Sequence, residues 1–209
     1  MVYAAYSSGN SGSGYQRAAT LDCGHRGEMS WKLRKRTVAL NTRWLRVFRD
    51  EYTLPNGTDI DDFYVVERDD FVLIVAERDD SVVLVRQYRP ATDRYYYSLP
   101  AGYLRRDEPP EVAARRELLE EAGLEAEAFT MIGELHPLPG YIKSFAYVVR
   151  CHALKGAVVV HDSAEIESAK LVPWSTALEM IRTGQINEMQ AVSALLLARL
   201  VPGRHADNE

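Results

Sequence analysis

From Trp44 to Leu54, large apolar residues alternate with polar ones, the period-two pattern of a strand with one covered face. "PNG" at 55–57 supplies a turn and "DDFYVVER" at 61–68 returns, so 44–68 predicts an antiparallel hairpin. The next runs, "FVLIVAER" (71–78) and "SVVLVRQYR" (81–89), become nearly continuous Val, Leu and Ile, as strands buried on both faces do. "AFTMIGELHPL" (128–138) and "SFAYVVRCHAL" (144–154) predict two further strands, and "ESAKLVPW" (167–174) a weaker one. Helical patterns lie among them. Residues 109–122 run from two prolines to a stop at Gly123, "STALEMIRTG" (175–184) runs from Ser/Thr to glycine, and "NEMQAVSALLLARLV" (187–201) ends at Pro202-Gly203. This order predicts an α/β fold: a mixed sheet between helical layers, with a strand hairpin appended at the front.

Residues 1–28 differ, being Ser/Gly-rich without periodicity, and read as a disordered tail preceding a true start at Met29. Cys23 and His25 within it are too sparse for a metal site. The expected organisation is therefore a tail at 1–28, an N-terminal strand region at 29–68, a main domain at 69–204 and a short tail at 205–209.

Composition narrows the function. A net charge of −5 offers no basic field to nucleic acid or an anionic membrane. Two distant cysteines, Cys23 and Cys151, fit neither a disulfide framework nor a metal site, and the expected compartment is the cytoplasm. No apolar run reaches the roughly 20 residues of a membrane span. An anionic substrate would need added positive charge, and a metal ion is the obvious source.

Candidate chemistry concentrates at Arg116-Glu117-Leu118-Leu119-Glu120-Glu121. At 100° per residue, Glu117, Glu120 and Glu121 fall within a wedge of about 100°, with Glu117 and Glu121 stacked at i, i+4. Like charges at that spacing cost a few tenths of a kcal/mol, and the helix C-terminus also disfavours anions. A divalent cation would relieve both, since Mg²⁺ takes carboxylates, water and substrate phosphates. A solvated acidic face is the plainer reading of the helix alone.

The surrounding spacing decides between them. Gly102, five residues, Glu108, seven residues, then Arg116-Glu117-Leu118-x-Glu120-Glu121-x-Gly123-Leu124 matches every specified position of the Nudix box. The chain thus resembles the Nudix hydrolases. "VRQYRPATDRYYYSLPAGYL" (85–104) and Pro139-Gly140, sixteen residues past Gly123, resemble the ADP-ribose pyrophosphatase and nucleotide-sugar hydrolase branch. The resemblance implies an α/β/α sandwich and hydrolysis of the diphosphate bridge of ADP-ribose, giving AMP and ribose 5-phosphate. Mg²⁺ is the implied cofactor, with Mn²⁺ as the alternative. Implied metal ligands are Glu117, Glu120, Glu121 and the carbonyl of Ala101. Arg116 is implied to orient a box glutamate, Glu108 to support it, and Arg89 to meet the phosphates. Pro139 and Gly140 belong to the substrate site. Tyr97, in the run Tyr95-Tyr96-Tyr97, is a candidate base-stacking residue, set against ordinary strand packing. The general base is expected in "HDSAEIES" (161–168), with Glu165 as first choice and Glu167 as second. The branch also implies a homodimer, covered by residues around Trp44–Phe63.

Two departures matter. Ser98 stands where similar chains carry Glu, and Tyr141-Ile142-Lys143-Ser144 contains no carboxylate. GDP-mannose or another nucleotide sugar therefore stays open as substrate. A non-catalytic sensing module would predict a broken box, and the box is intact.

Overall fold

The computed structural model describes residues 30–152, 154–160 and 165–201. The expected tails at 1–28 and 205–209, with Cys23, His25 and Met29, lie outside the described residues, as do His161–Ala164 of the candidate base segment.

The chain opens with three antiparallel strands, β1 (Lys32–Asn41), β2 (Arg46–Thr53) and β3 (Asp59–Glu67). The expected hairpin is β2 and β3, and β1 is an addition to it. Its sequence hides the strand period because two register shifts, at Leu33/Lys35 and Val38/Leu40, break the alternation against β2. Every residue of β1 is also exposed, so no buried face marks it. A later two-residue strand, β9 (Ile142–Lys143), pairs parallel with β3 and completes this four-stranded sheet in the order β1-β2-β3-β9.

The main sheet contains β4 (Phe71–Arg78), β5 (Ser81–Arg89), β8 (Ala128–Leu135), β10 (Ala146–His152) and β11 (Ile166–Pro173) in the order β11-β5-β4-β10-β8. Strand β6 (Arg94–Ser98) pairs with β5, and β7 (Ala101–Tyr103) with β4. The β4–β10 pair is parallel and the others antiparallel, so the sheet is mixed, as expected.

Strand alternation then sorts the core into two layers. Val72, Ile74, Ala76, Val83, Val149 and Cys151 meet Ala113, Ala114, Leu118 and Ala122 of helix α1 (Pro110–Ala122). Phe71, Leu73, Val75, Val82, Leu84 and Val148 meet α2 (Trp174–Arg182) and α3 (Met189–Leu200) on the other face. The result is the α/β/α sandwich. Small alanines on α1 and α3 let the helices lie close to a Val-rich sheet, where each added methylene buried contributes about 0.8 kcal/mol. Cys151 is a free thiol in this core, pushed up to about 12 mainly by burial. Among the described residues, no helix is long and apolar enough to cross a membrane.

Candidate active site

Helix α1 starts after Pro109, with Pro110 at the first turn and no side-chain cap. The acidic residues ahead of it do other work. Asp107 takes a left-handed φ of 59° in the loop. The Glu108 carboxylate accepts the Arg105 N–H at 2.8 Å and a two-pronged contact from Arg116, at 3.1 Å from Nε and 2.9 Å from Nη2. Arg116 is the largest cause of the lowered Glu108 pKa. The same guanidinium donates to the Tyr103 carbonyl at 3.1 Å and to Glu117 Oε1, and lies 3.6 Å from Glu120 Oε2. One cation serves three carboxylates.

Helix and sheet press the acidic wedge against β7. Gly102 faces Glu117 so closely that a Cβ would overlap its carboxylate, which explains why the position carries no side chain. One residue earlier, the Ala101 N–H donates to Glu121 Oε2 at 3.0 Å. The Ala101 peptide expected beside the metal ligands is therefore against Glu121. At the other end of the wedge, Gly123 adopts φ 67°, the left-handed C-cap, and its N–H returns to the Leu118 and Leu119 carbonyls. Glu117 is pulled two ways. Burial pushes its pKa up, Arg116 opposes that shift, and the neighbouring charges of Glu120 and Glu108 add to it. Glu120 is the half-exposed member at the rim, its side chain 50% accessible.

Among the described residues, no three acidic, His or Cys side chains converge into a ready-made cation cage. The donor set nevertheless fits a hard divalent ion. Its groups are carboxylate oxygens, their negative charge exceeds what Arg116 supplies, and the missing side chain at Gly102 lets the Glu117 carboxylate lie against β7.

The remaining expected residues lie in four other places. Arg89, at the end of β5, has Nη2 3.5 Å from Glu188 Oε1, and Ser98 Oγ donates to Glu188 Oε2. Tyr97 is half-buried against the core layer of α2 and α3, while Tyr95 is exposed under the Arg86 guanidinium. Glu165 is exposed just before β11, and its backbone carbonyl accepts the Tyr88 N–H at 3.1 Å. Glu167 sits within β11 and its carboxylate pairs with Arg86. Pro139 and Gly140 line a pocket of ≈ 370 Å³ with Trp31, Tyr52, Phe63 and Lys143. The rings of Trp31, Tyr52 and Phe63 meet edge-on, with centroids 5.5–5.7 Å apart. Tyr52 is fixed by donating at 2.8 Å to Asp50, which is fully buried and bound by Arg36 at 2.8 and 2.6 Å.

Arg68 joins this pocket to the wedge. Its N–H bonds the Lys143 carbonyl at 3.4 Å and its side chain donates to Tyr103 Oη, on the residue whose carbonyl receives Arg116. Sequence reasoning did not single out Arg68, Glu188 or the aromatic trio. Trp31 lay ahead of the recognisable strand pattern, and Glu188 reads as an ordinary acidic residue before a helix.

Two family matches cover most of the chain: the NUDIX domain over residues 66–192 and the nucleoside diphosphate sugar hydrolase N-terminal domain over residues 31–66. The ADP-ribose pyrophosphatase of Bacillus subtilis (strain 168) is 24% identical over 80% of this chain and 94% of its own. That of Mycobacterium tuberculosis is 31% identical over 73% of this chain and 75% of its own. The GDP-mannose pyrophosphatase of Salmonella typhimurium is 36% identical over 59% of this chain and 69% of its own. The crystal structure of an ADP compounds hydrolase superposes with a TM-score of 0.70 at 25% identity, covering 81% of this chain and 92% of that one.

Proposed function

This chain belongs to the Nudix family and hydrolyses pyrophosphate bonds in nucleotide-sugar-type diphosphates; from that premise we propose that it cleaves ADP-ribose with water to AMP and ribose 5-phosphate. The observation that carries the reading is the seating of Glu117 and Glu121 against Gly102 and Ala101, with Arg116 shared among the surrounding carboxylates. ADP-ribose is favoured over other diphosphates because the B. subtilis relative named for it aligns over 94% of its length.

Residues Glu117, Glu120 and Glu121, with the Ala101 peptide, would hold Mg²⁺, or Mn²⁺ in its place. When bound, such an ion supplies neutralisation of the diphosphate charge and acidification of a water molecule. Arg116 fixes the rotamer of Glu117, so that the carboxylate presents one orientation to a ligand. Arg89 places positive charge for the phosphates. Glu165 takes the proton from the attacking water, and it is preferred to Glu167 because Glu167 is engaged by Arg86. The aromatic pocket of Trp31, Tyr52 and Phe63, closed by Pro139 and Gly140, receives the planar base. Tyr97, packed on the core, is left a structural part in this reading.

GDP-mannose is the second reading, favoured by the 36% identity to the Salmonella enzyme. A panel of ADP-ribose, GDP-mannose and other nucleotide sugars, assayed with Mg²⁺ and with EDTA, decides. ADP-ribose turnover that EDTA abolishes is expected. Turnover of GDP-mannose alone would replace the substrate, and binding without any turnover would make the chain a sensing module.

Two copies associate through the appended sheet in the same proposal, covering exposed Leu33, Val38, Leu40, Trp44 and Tyr64. Light scattering at micromolar concentration should give twice the 23.6 kDa chain mass, and a monomer would remove this part. A cytoplasmic setting accords with the free thiol of Cys151.

A further inference from the structure

Glu188 holds the N-cap position of α3, yet its side chain makes no capping bond to that helix. A carboxylate there is normally drawn to the exposed N–H groups and the positive end of the helix dipole. Instead it reaches to the β5–β6 pair, taking the hydroxyl of Ser98 on one oxygen and approaching Arg89 Nη2 at 3.5 Å with the other. Ser98 is 1% exposed, and the Glu188 side chain is 18% exposed. This bridge is built into the interior edge of the protein.

Register places a third residue beneath it. Ser98 stands opposite Val85 on β5, and Val85, Gln87 and Arg89 share one face by alternation. Gln87 therefore lies between the two levels that Glu188 spans. It is 4% exposed, and its amide nitrogen has no partner. A buried donor left unpaired costs stability, so such a group marks a place where an acceptor is missing. Arg89 carries five N–H donors, and its contact with Glu188 is long and single. Gln87 and Arg89 thus lie on one face of β5, with Arg89 held by Glu188 and the Gln87 amide nitrogen unpaired, an arrangement suited to an anionic oxygen.

We infer that Glu188 is a positioning residue for the substrate diphosphate: it sets the Arg89 guanidinium beside Gln87 so that both donate to a phosphate oxygen. The inference rests on the diphosphate reading above, although not on which sugar is attached. Glu188 touches no reacting atom and acts through Arg89. Ser98 in turn holds Glu188, which gives the serine at this position a task of its own.

The test is a double-mutant cycle in the full chain, read by steady-state kinetics with ADP-ribose and by calorimetric titration of inorganic pyrophosphate. Glu188→Gln should raise KM and weaken pyrophosphate binding by about tenfold, the value of one hydrogen bond to a charge, with kcat changed much less. Ser98→Ala should do the same to a smaller degree. In an Arg89→Ala background, both effects should vanish, because the residue they act through is gone. Effects that multiply with Arg89→Ala, or pyrophosphate affinity unchanged in Glu188→Gln, would overturn the inference. Should the wild type turn over no nucleotide sugar while pyrophosphate binding still depends on Glu188 through Arg89, the substrate reading falls and the positioning role stands.

Discussion

Glu117 and Asp50 are both carboxylates taken out of solvent and set beside an arginine, and their pKa values move in opposite directions. Asp50, in the appended sheet, has Arg36 to itself on two hydrogen bonds and Tyr52 as a third donor. Its pKa is lowered, with the Arg36 bond as the largest cause. Glu117, within α1, shares Arg116 with Glu108, Glu120 and the Tyr103 carbonyl. Its pKa is raised because burial outweighs its fraction of that cation. A dedicated arginine makes a closed structural knot. A shared one leaves a surplus of negative charge, which a ligand can use.

The sharpest way to break this contrast is to remove the surplus. Glu120→Gln with Glu121→Gln should lower turnover by more than about 10³-fold, since loss of the ion forfeits several kcal/mol of charge stabilisation. Magnesium titration should lose its binding heat in parallel. If both affinity and rate survive, the wedge is only a solvated helix face.

Glu165→Gln should cost about 10²–10³ in kcat as the loss of a general base, whereas Glu167→Gln should cost far less because that carboxylate is committed to Arg86. The reverse order in single-turnover assays would exchange their roles.

Gly102→Ala tests the cradle itself. The added methyl meets the Glu117 carboxylate and displaces it by a fraction of its own size, a misplacement that costs about 10² in rate. A matching far-ultraviolet dichroism spectrum would show that the helix persists. A wild-type rate would mean that the fit of Glu117 to β7 does not matter.

On the other side of the comparison, Asp50→Asn should act on stability, lowering the unfolding midpoint by about 2–8 °C at neutral pH as a charge-assisted bond is lost. The sign with pH follows from the lowered folded pKa. Asp50 contributes fully above the unfolded carboxylate value of about 3.9, and its contribution fades as pH falls through the folded value. The gap between wild type and variant should therefore narrow below about pH 4 in calorimetry. A gap constant down to pH 2 would deny the ion pair its role.

Strands β4 and β5 were legible because burial on both faces forces continuous Val, Leu and Ile, and α1 because prolines open it and Gly123 closes it. What the acidic residues ahead of α1 do was not legible: no side chain caps the helix. Arg116 stands eight residues on and draws Glu108 away from the helix end. Strand β1 stayed hidden because its bulges erase the period and its residues bury nothing. Glu188 stayed hidden because its partners, Arg89 and Ser98, are 99 and 90 residues away, and nothing local distinguishes it.

By itself the sequence determined the acidic wedge, its arginine and the sandwich around them, because helix period and box spacing are local facts of the chain. Only the tertiary structure decided which arginine is shared and which is dedicated, that Gly102 must yield its side-chain volume to Glu117, and that Glu188 leaves its own helix to hold Arg89. Those outcomes depend on distances between distant segments, and a carboxylate's charge state follows from what surrounds it in space rather than along the chain.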